Sequence, residues 1–385
     1  MIVGVPTESS PLETRVALVP DVVSMLGRDG FDVVVETGAG RRAGFADNEF
    51  SRAGARICAS RELTLEQADV IAQVSMYSAD ADMPRSELDR LAGNHIVVGL
   101  ADALAAPTRV KAMAERGVTA FALELIPRIA RAQSMDVLSS MATIAGYRAA
   151  VSAAHHLSRC MPLMMTAAGT LPAARVLVIG AGVAGLQAIA TAKRLGGRVS
   201  GYDIRVEAGP QVESVGGTFL SPHEHSDADS DGYARAQTAT FQQRQRELLS
   251  AAVAASDIVI TTATVPSGRA PVLITADMVA SMRPGSVIVD LAASRGGNCQ
   301  VTTPGEQIDA AGVRVLGPTN IVCSVPAHAS ALYARNIASF ITHTCRGADA
   351  TVDETDEIVS RTLVCRAGRV VNPRVQRVLQ EATSC

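Results

Sequence analysis

Residues 175–189 read RVLVIGAGVAGLQAI, a strand-like run followed by closely spaced glycines and then by a helix-compatible segment. Gly180, Gly182 and Gly185 stand in the GxGxxG spacing. In a dinucleotide-binding turn the first glycine permits a tight bend, the second lets a pyrophosphate approach the backbone, and the third allows close helix–strand packing. The helix N-terminus attracts the phosphate charge. This stretch therefore predicts the first βα unit of a Rossmann domain.

An acidic residue follows at the end of the next predicted strand, 198–204. Asp203 lies about 20 residues beyond the glycines, where a carboxylate accepts hydrogen bonds from the adenosine ribose hydroxyls. Its charge disfavours a 2′-phosphate and so favours NAD. Arg205 points the same way from the strand and can accommodate that phosphate, so the choice stays open at this step. The residues predicted to line the dinucleotide are Gly180, Ala181, Gly182, Val183, Gly185, Asp203, Ile204 and Arg205.

Strand-like and helix-like segments alternate on both sides of this unit, which is typical of parallel βαβ sheets. We predict an α/β fold of two Rossmann-like domains with mostly parallel sheets and a cleft between them. The first domain is expected at 1–140, the NAD(H)-binding domain at 141–329, and a C-terminal segment, 330–385, is expected to return to the first domain. The segment 127–144 breaks the alternation, and a helix is predicted at 145–157.

Composition limits the function. The 385 residues are 48% hydrophobic and carry a net charge of −3 without a basic stripe, which argues against nucleic acid and against an anionic membrane surface. No uninterrupted apolar stretch reaches the roughly 18 residues of a membrane span, so no direct insertion is expected. The N-terminus lacks the features of a signal peptide. The seven cysteines form no CxxC pair and the histidines no zinc spacing, which favours a reduced cytoplasm and predicts no metal site.

Three segments together resemble the NAD(H)-binding component of proton-translocating transhydrogenase, within the alanine dehydrogenase/transhydrogenase family. They are PRIARAQSMDVLSSMATIAGYRA (127–149), TAAGTLPAARVLVIGAGVAGLQAIATAKRLGGRV (166–199) and MRPGSVIVDLAASRGGNCQ (282–300). The first is specific to transhydrogenase, whereas the other two are shared with alanine dehydrogenase. Departures from the family pattern occur at 267–269 (SGR) and 322–324 (VCS).

The resemblance implies that the loop around 128–139 lies over the nicotinamide. Asp136 and Ser139 would hold the carboxamide, Arg128 would pair with Asp136 or reach the pyrophosphate, and Gln133 would orient the ring. On residue types alone, the same loop reads as a solvated segment that caps a helix. The resemblance also assigns cofactor contacts to Gly232 and Tyr233 of a mobile loop, to Gln245 and to Thr264.

The implied function is hydride transfer between NADH and NADP⁺, with NADP(H) bound by a partner subunit. A membrane-spanning subunit would couple the transfer to proton translocation. The resemblance further implies a homodimer that is held at the cytoplasmic face of the membrane through these partners.

Two other functions remain open. Alanine dehydrogenase chemistry needs proton transfer and a cation for the substrate carboxylate. Arg15 matches that family's arginine, but Gln73, Ala101 and Ser294 stand where it has a lysine, a histidine and an aspartate. Hydride exchange between two nicotinamides releases no proton, so the replacements favour transhydrogenase. A non-catalytic NAD(H)-binding sensor is the second alternative, and the 128–139 segment argues against it.

Overall fold

The computed structural model describes residues 1–79, 83–221, 239–265, 268–345 and 353–383. Its strands, in chain order, are β1 (Ile2–Val5), β2 (Asp32–Glu36), β3 (Arg56–Cys58), β4 (Val70–Ser75), β5 (Ile96–Leu100), β6 (Thr119–Ala122), β7 (Met164–Thr166), β8 (Gly169–Leu171), β9 (Arg175–Ile179), β10 (Arg198–Tyr202), β11 (Thr218–Leu220), β12 (Ile258–Thr261), β13 (Val287–Asp290), β14 (Gln307–Ala310), β15 (Val313–Leu316), β16 (Leu363–Arg366) and β17 (Arg369–Val370).

The α-helices alternate with these strands over most of the chain. They are α1 (Pro20–Arg28), α2 (Asp47–Arg52), α3 (Arg61–Gln67), α4 (Arg85–Asp89), α5 (Pro107–Glu115), α6 (Val137–His156), α7 (Val183–Arg194), α8 (Gly209–Ser214), α9 (Ala239–Ala254), α10 (Ala276–Ala280), α11 (Pro326–Thr344), α12 (Glu357–Thr362) and α13 (Pro373–Thr383). Within the described ranges, no helix has the length and apolarity needed to cross a bilayer.

The chain divides into two compact units, and the first is discontinuous, comprising residues 1–141 and 323–385. Its sheet has the order β17-β16-β6-β5-β4-β1-β2-β3. The strands β1 to β6 pair in parallel, whereas β16 pairs antiparallel to β6 and β17 antiparallel to β16. The mostly parallel α/β fold expected from the sequence is therefore present in this unit.

The second unit, residues 142–322, contains the glycine-rich turn. Its sheet has the order β11-β10-β9-β12-β13-β15-β14, with every pair parallel except the edge pair β14–β15. The strand order reverses direction between β9 and β12. In doubly wound sheets, ligands bind outside the carboxyl ends of the strands at such a switch point.

The second unit ends shortly before helix α11. The helix belongs to the first unit as a whole, so the boundary lies after Val322 and before the predicted position at 329. Tyr333 is fully buried and donates a hydrogen bond to the Gln73 carbonyl of β4 at 2.7 Å. Phe340 packs edge-on against Phe121 of β6, with ring centroids 5.4 Å apart. These contacts fix the returning segment to the first sheet.

Helix α6 begins earlier than the predicted start at 145. It starts at Val137 because Asp136 caps it: the carboxylate accepts from the Ser139 N–H at 2.9 Å and from the Ser139 hydroxyl. Acceptance of the N–H three residues ahead is the usual capping geometry at a helix N-terminus. Later in the chain, the predicted strand 198–204 ends at Tyr202, so Asp203 stands just beyond the sheet.

Candidate functional site

A different structural observation applies to each of the three glycines of the turn. Gly180 has a φ of +99°, and a Cβ there would lie 2.5 Å from the Thr262 hydroxyl. A Cβ on Gly185 would lie 1.7 Å from the Gly180 carbonyl oxygen. Gly182, which precedes α7, has an ordinary φ of −77° and open space around its missing side chain. Since none of the described residues excludes a side chain at 182, the space there fits a pyrophosphate close to the backbone.

The turns after β9 and β12 are joined at the switch point. The Thr262 hydroxyl donates to the Gly180 carbonyl at 3.0 Å. Ala181 is buried, whereas Val183, the first residue of α7, is exposed. The N-terminus of α7 therefore opens beside the turn, where it offers the N–H groups and the helix dipole to a phosphate.

Asp203 and Arg205 form a bidentate ion pair at the end of β10. The Arg205 Nε and Nη2 donate to the Asp203 carboxylate at 3.0 Å each, and the Ala181 N–H donates to Asp203 at 2.8 Å. Asp203 is only 6% exposed. The carboxylate thus lies directly against the glycine turn, and the arginine shares it. Ile204, between the two, is partly buried.

Two further predicted contacts are placed differently. Gln245, on α9, donates its amide to the Tyr202 hydroxyl at 2.8 Å. Burial of Tyr202 raises the pKa of its phenol to about 12, although the Gln245 hydrogen bond opposes the shift. Thr264 is exposed after β12. Gly232 and Tyr233 lie outside the described residues.

Two buried polar residues at the carboxyl edge of the sheet had no predicted role. Asp290 ends β13 and is fully buried; its carboxylate accepts hydrogen bonds from two hydroxyls and two N–H groups, those of Thr261, Thr302, Ala292 and Cys299. Asn298 is also fully buried, accepts from the Ala263 N–H at 3.0 Å and donates to the Ala263 carbonyl at 2.8 Å. Together they fix the backbone that follows β12, next to the glycine turn.

The 128–139 segment lies in the first unit, where a 3₁₀ turn, Ala130–Met135, precedes α6. Ala132 and Met135 are buried and fix the turn to the unit. Arg128 and Gln133 are exposed. Asp136 and Ser139 are hydrogen-bonded to each other, and the pair caps the N-terminus of α6.

The positions compared with alanine dehydrogenase also lie in the first unit, apart from Ser294. Arg15 is buried and donates to the Glu13 carboxylate through Nε at 2.7 Å and Nη2 at 2.6 Å. The Cys323 thiol donates to the same carboxylate at 3.0 Å. Burial alone would raise the pKa of Glu13, but the hydrogen bond and charge of Arg15 outweigh it and lower the pKa. Gln73 and Ala101 are buried and carry no titratable group.

The fold and the turn define a dinucleotide-binding Rossmann protein. Comparison with protein-family models matches residues 4–145 to "Alanine dehydrogenase/PNT, N-terminal domain" and residues 149–373 to "Alanine dehydrogenase/PNT, C-terminal domain". The chain therefore belongs to the alanine dehydrogenase/PNT family, as the resemblance of its three segments predicted.

Individual relatives refine the comparison. The first part of NAD(P) transhydrogenase subunit alpha from Rhodospirillum rubrum is 44% identical over 378 residues, which cover 97% of this chain and 98% of the relative. The crystal structure of transhydrogenase from Sinorhizobium meliloti matches with a TM-score of 0.84 at 41% identity, covering 97% of this chain and 99% of that one. An L-alanine dehydrogenase structure matches with a TM-score of 0.82 but only 27% identity, covering 99% of both chains. Transhydrogenase is thus the more similar of the two in sequence.

The Asp203–Arg205 pair leads to a prediction about cofactor choice. We expect NADH to bind at least ~10-fold more tightly than NADPH, a difference of about 1.4 kcal/mol, because a 2′-phosphate would meet the Asp203 carboxylate. Arg205→Ala should leave the preference for NADH intact or increase it, since it removes a cation that could hold the phosphate. Calorimetric titration of the native protein and of Arg205→Ala with NADH and with NADPH measures the preference. Equal affinities of the native protein for NADH and NADPH would contradict the assignment of Asp203.

Proposed function

We propose that this chain is the NAD(H)-binding component of a proton-translocating NAD(P) transhydrogenase. It would pass a hydride between NADH and NADP⁺ bound on a partner subunit. The observation that carries the choice within the family is that Gln73 and Ala101, which stand where the dehydrogenase has a lysine and a histidine, are buried and supply neither a cation nor an acid–base group. Arg15 is retained from the dehydrogenase pattern, and in the structure it donates through Nε and Nη2 to the internal Glu13 carboxylate.

Glu8, a buried carboxyl of the first unit, is a poor candidate for proton transfer. Burial raises the pKa of Glu8 to about 7, which is suitable for an acid–base group. Both Glu8 carboxylate oxygens, however, accept backbone N–H groups at the end of β4, from Val74 at 2.6 Å and from Ser75 at 3.1 Å. Glu8 is therefore tied to the sheet, and we assign it a structural role.

Hydride exchange requires fewer catalytic groups of the protein than amino-acid oxidation does. Bound NADH supplies the hydride, and the protein has to hold the reacting faces within about 3–3.5 Å of each other. The turn after β9 offers N–H groups to the pyrophosphate, and Asp203 offers a carboxylate to the adenosine ribose. We assign orientation of the nicotinamide to the 128–139 segment. In this role the Asp136–Ser139 pair presents a fixed carboxylate and hydroxyl to the carboxamide, Arg128 adds a cation, and Gln133 adds a neutral amide.

The proposal requires partner subunits. NADP(H) would be bound by a second component, because the sequence offers one convincing dinucleotide fingerprint, at 180–185. The R. rubrum relative is named as one portion of an alpha subunit. We propose that a membrane-spanning subunit couples the transfer to proton translocation and holds this chain peripherally at the cytoplasmic face.

An exposed apolar hairpin supports the homodimer. Strands β7 and β8 pair with each other in a two-stranded sheet separate from the two large sheets. The hairpin and the residue before it expose large apolar side chains: Leu163 (57%), Met164 (40%), Met165 (77%) and Leu171 (48%). Clustered apolar exposure of this kind marks an interaction surface. A second copy of the chain is the occupant we propose, since a two-fold axis lets one patch serve both partners.

Met165→Asp is expected to shift the protein from dimer to monomer. A charge at the most exposed of these positions would be desolvated in the interface, which we expect to weaken association by at least ~100-fold, about 2.7 kcal/mol. Sedimentation velocity across a concentration series measures the change. Leu12→Asp is the matched control, because Leu12 is 72% exposed in the first unit and should not alter association. A Met165→Asp protein that dimerises like the native one would exclude the hairpin as the interface.

The function is tested by mixing the purified chain with NADH and a purified NADP(H)-binding transhydrogenase component, and following single-turnover hydride transfer by stopped flow. The native chain should transfer hydride and should not produce NADH from NAD and alanine. Gln133→Asn retracts the amide by one methylene. It should leave NADH affinity within a few-fold but slow transfer ~10–100-fold, the scale of a misplacement near 1 Å.

The possible outcomes separate the alternatives. Alanine-dependent NADH production would identify a dehydrogenase. NADH binding without transfer to any tested partner would favour the sensor. Transfer by Gln133→Asn at the native rate would remove Gln133 from the proposed site while leaving the function intact.

A further inference from the structure

Two side chains from the C-terminal region of the chain hold the 3₁₀ turn on either side of Gln133. Asn336, on α11, donates its amide to the Ser134 carbonyl at 2.8 Å. Asp356 accepts a hydrogen bond from Arg131 Nη1 at 2.6 Å. Arg131 and Ser134 thus connect the turn to regions of the sequence more than 200 residues away.

Asp356 is well placed to act as a fixed anchor. Its Oδ1 accepts the N–H groups of Ile358 and Val359 at 2.7 and 3.2 Å and so caps α12, while His343 lies 3.4 Å from the same oxygen. Burial raises the pKa of Asp356, but the hydrogen bonds from Arg131, from these N–H groups and from His343 outweigh it and hold the pKa at about 2. The carboxylate is therefore charged and held in one orientation by the helix.

The Arg131–Asp356 pair contributes little to stability. The Arg131 side chain is 52% exposed, and half-exposed ion pairs add little because water screens the charges and the long side chain loses freedom. Its main effect must be to fix the position of the turn.

The buried residue Asn336 also indicates a role in fixing the position of the turn. The residue is 7% exposed, and its Oδ1 has no hydrogen-bond partner within the described residues. An unpaired buried amide oxygen is costly to folding, and an apolar side chain of the same branched shape, such as leucine, would avoid that cost. The one polar contact that the described structure gives the Asn336 side chain is the hydrogen bond to Ser134, so stability alone does not explain an asparagine here.

We infer that Asn336 and Asp356 are positioning residues that fix the shape of the 130–135 turn, and thereby the direction in which Gln133 presents its amide. They act through Ser134 and Arg131 and do not themselves touch a nucleotide. The inference rests on the proposed function, because it is the transfer step that requires Gln133 to be held in one orientation.

Asn336→Leu and Asp356→Asn test the inference. Asn336→Leu removes the hydrogen bond to Ser134 together with the unpaired amide oxygen, and it leaves the carbonyl of the exposed Ser134 without this donor. Asp356→Asn keeps an oxygen that can cap α12 but removes the charge that holds Arg131. Glu354→Gln is the matched control, since it breaks an ion pair with Arg366 in the same region of the chain without contact to the turn.

We expect Asn336→Leu to slow single-turnover hydride transfer ~10-fold and Asp356→Asn ~3-fold or more, with NADH affinity within about twofold of native. Resistance to urea should be unchanged or higher in Asn336→Leu. Amide hydrogen exchange over residues 130–136 should be faster in both variants and native in Glu354→Gln. Arg131→Lys should retain more of the transfer rate than Arg131→Ala, because a lysine can still reach a carboxylate.

Native exchange over 130–136 in both folded variants would overturn the inference, and so would faster exchange combined with native transfer. Failure of the proposed function is recognised separately, because then the native chain itself transfers no hydride. Exchange would in that case still report whether Asn336 and Asp356 hold the turn.

Discussion

Gly182→Ala is expected to weaken NADH binding ~100-fold, about 2.7 kcal/mol, while the free energy of unfolding stays within about 0.5 kcal/mol of native. The structure gives both halves of this expectation. A Cβ at 182 would meet no heavy atom of the described part of the chain within 4 Å, and the backbone there has a φ that any residue adopts. The methyl group would instead occupy the space in which a pyrophosphate approaches the backbone.

Gly185→Ala should give the opposite pattern, because its Cβ would lie 1.7 Å from the Gly180 carbonyl oxygen. Strand β9 and helix α7 would have to move apart, which we expect to cost about 3 kcal/mol or more. Urea unfolding and calorimetric titration separate the two effects. Gly27→Ala is the control: it lies within α1, has open space around it, and should stabilise its helix by roughly 0.5–1 kcal/mol without changing NADH affinity. Loss of stability in Gly182→Ala with unchanged NADH affinity would contradict the assignment of the turn.

Asp290→Asn is expected to lower the free energy of unfolding of the second unit by about 3 kcal/mol. The native carboxylate accepts four hydrogen bonds in a fully buried position, two at each oxygen. An amide has one oxygen, so its NH₂ group would face a backbone N–H, which cannot accept, and a hydroxyl, which would have to turn to accept; an unsatisfied buried donor costs about 1–3 kcal/mol. NADH affinity should fall as well, because the Thr261 hydroxyl that Asp290 holds lies at the end of β12, beside the switch point.

Asp309→Asn provides the matched control for this measurement. Asp309 lies at the edge of the same sheet and accepts one exposed backbone N–H, from Gly312 at 2.9 Å. The same chemical change there should cost less than about 1 kcal/mol. Equal destabilisation by the two substitutions would show that the buried hydrogen bonds of Asp290 contribute nothing beyond the loss of a surface charge.

The sequence predicted the regions of the fold that depend on local rules. The glycine turn, the strand before it and the helix after it follow from the needs of a βα turn, so their positions were predicted closely. The hairpin of β7 and β8 was missed, because three-residue strands carry too few positions for a period to show. Strand β16 was missed for another reason: its partner β6 is far away in sequence, and nothing in either segment specifies the pairing.

The site was predictable to the same degree. Asp203 lies against the turn as expected, but the bidentate contact with Arg205 depends on side-chain geometry that strand alternation indicates only in direction. Arg15 was matched to the dehydrogenase arginine, but its bidentate contact with Glu13, two residues earlier, was not foreseen. Asn298 stands next to two glycines without any periodic pattern, so its role emerges only when the backbone brings Ala263 beside it.

The discontinuity of the first unit has a consequence for synthesis. The second unit is continuous and can fold as soon as residue 322 has left the ribosome, since domains generally fold as units in the order in which they emerge. Strand β6 has been synthesised long before, but its outer edge has no partner until β16 is made and pairs with it. Counted from the synthesis of β6, about 240 residues before that of β16, a rate of about 5–20 residues per second leaves the edge unpaired for roughly 10–50 s. During that interval the nascent chain carries an exposed strand edge, the kind of surface on which unfinished chains associate with one another.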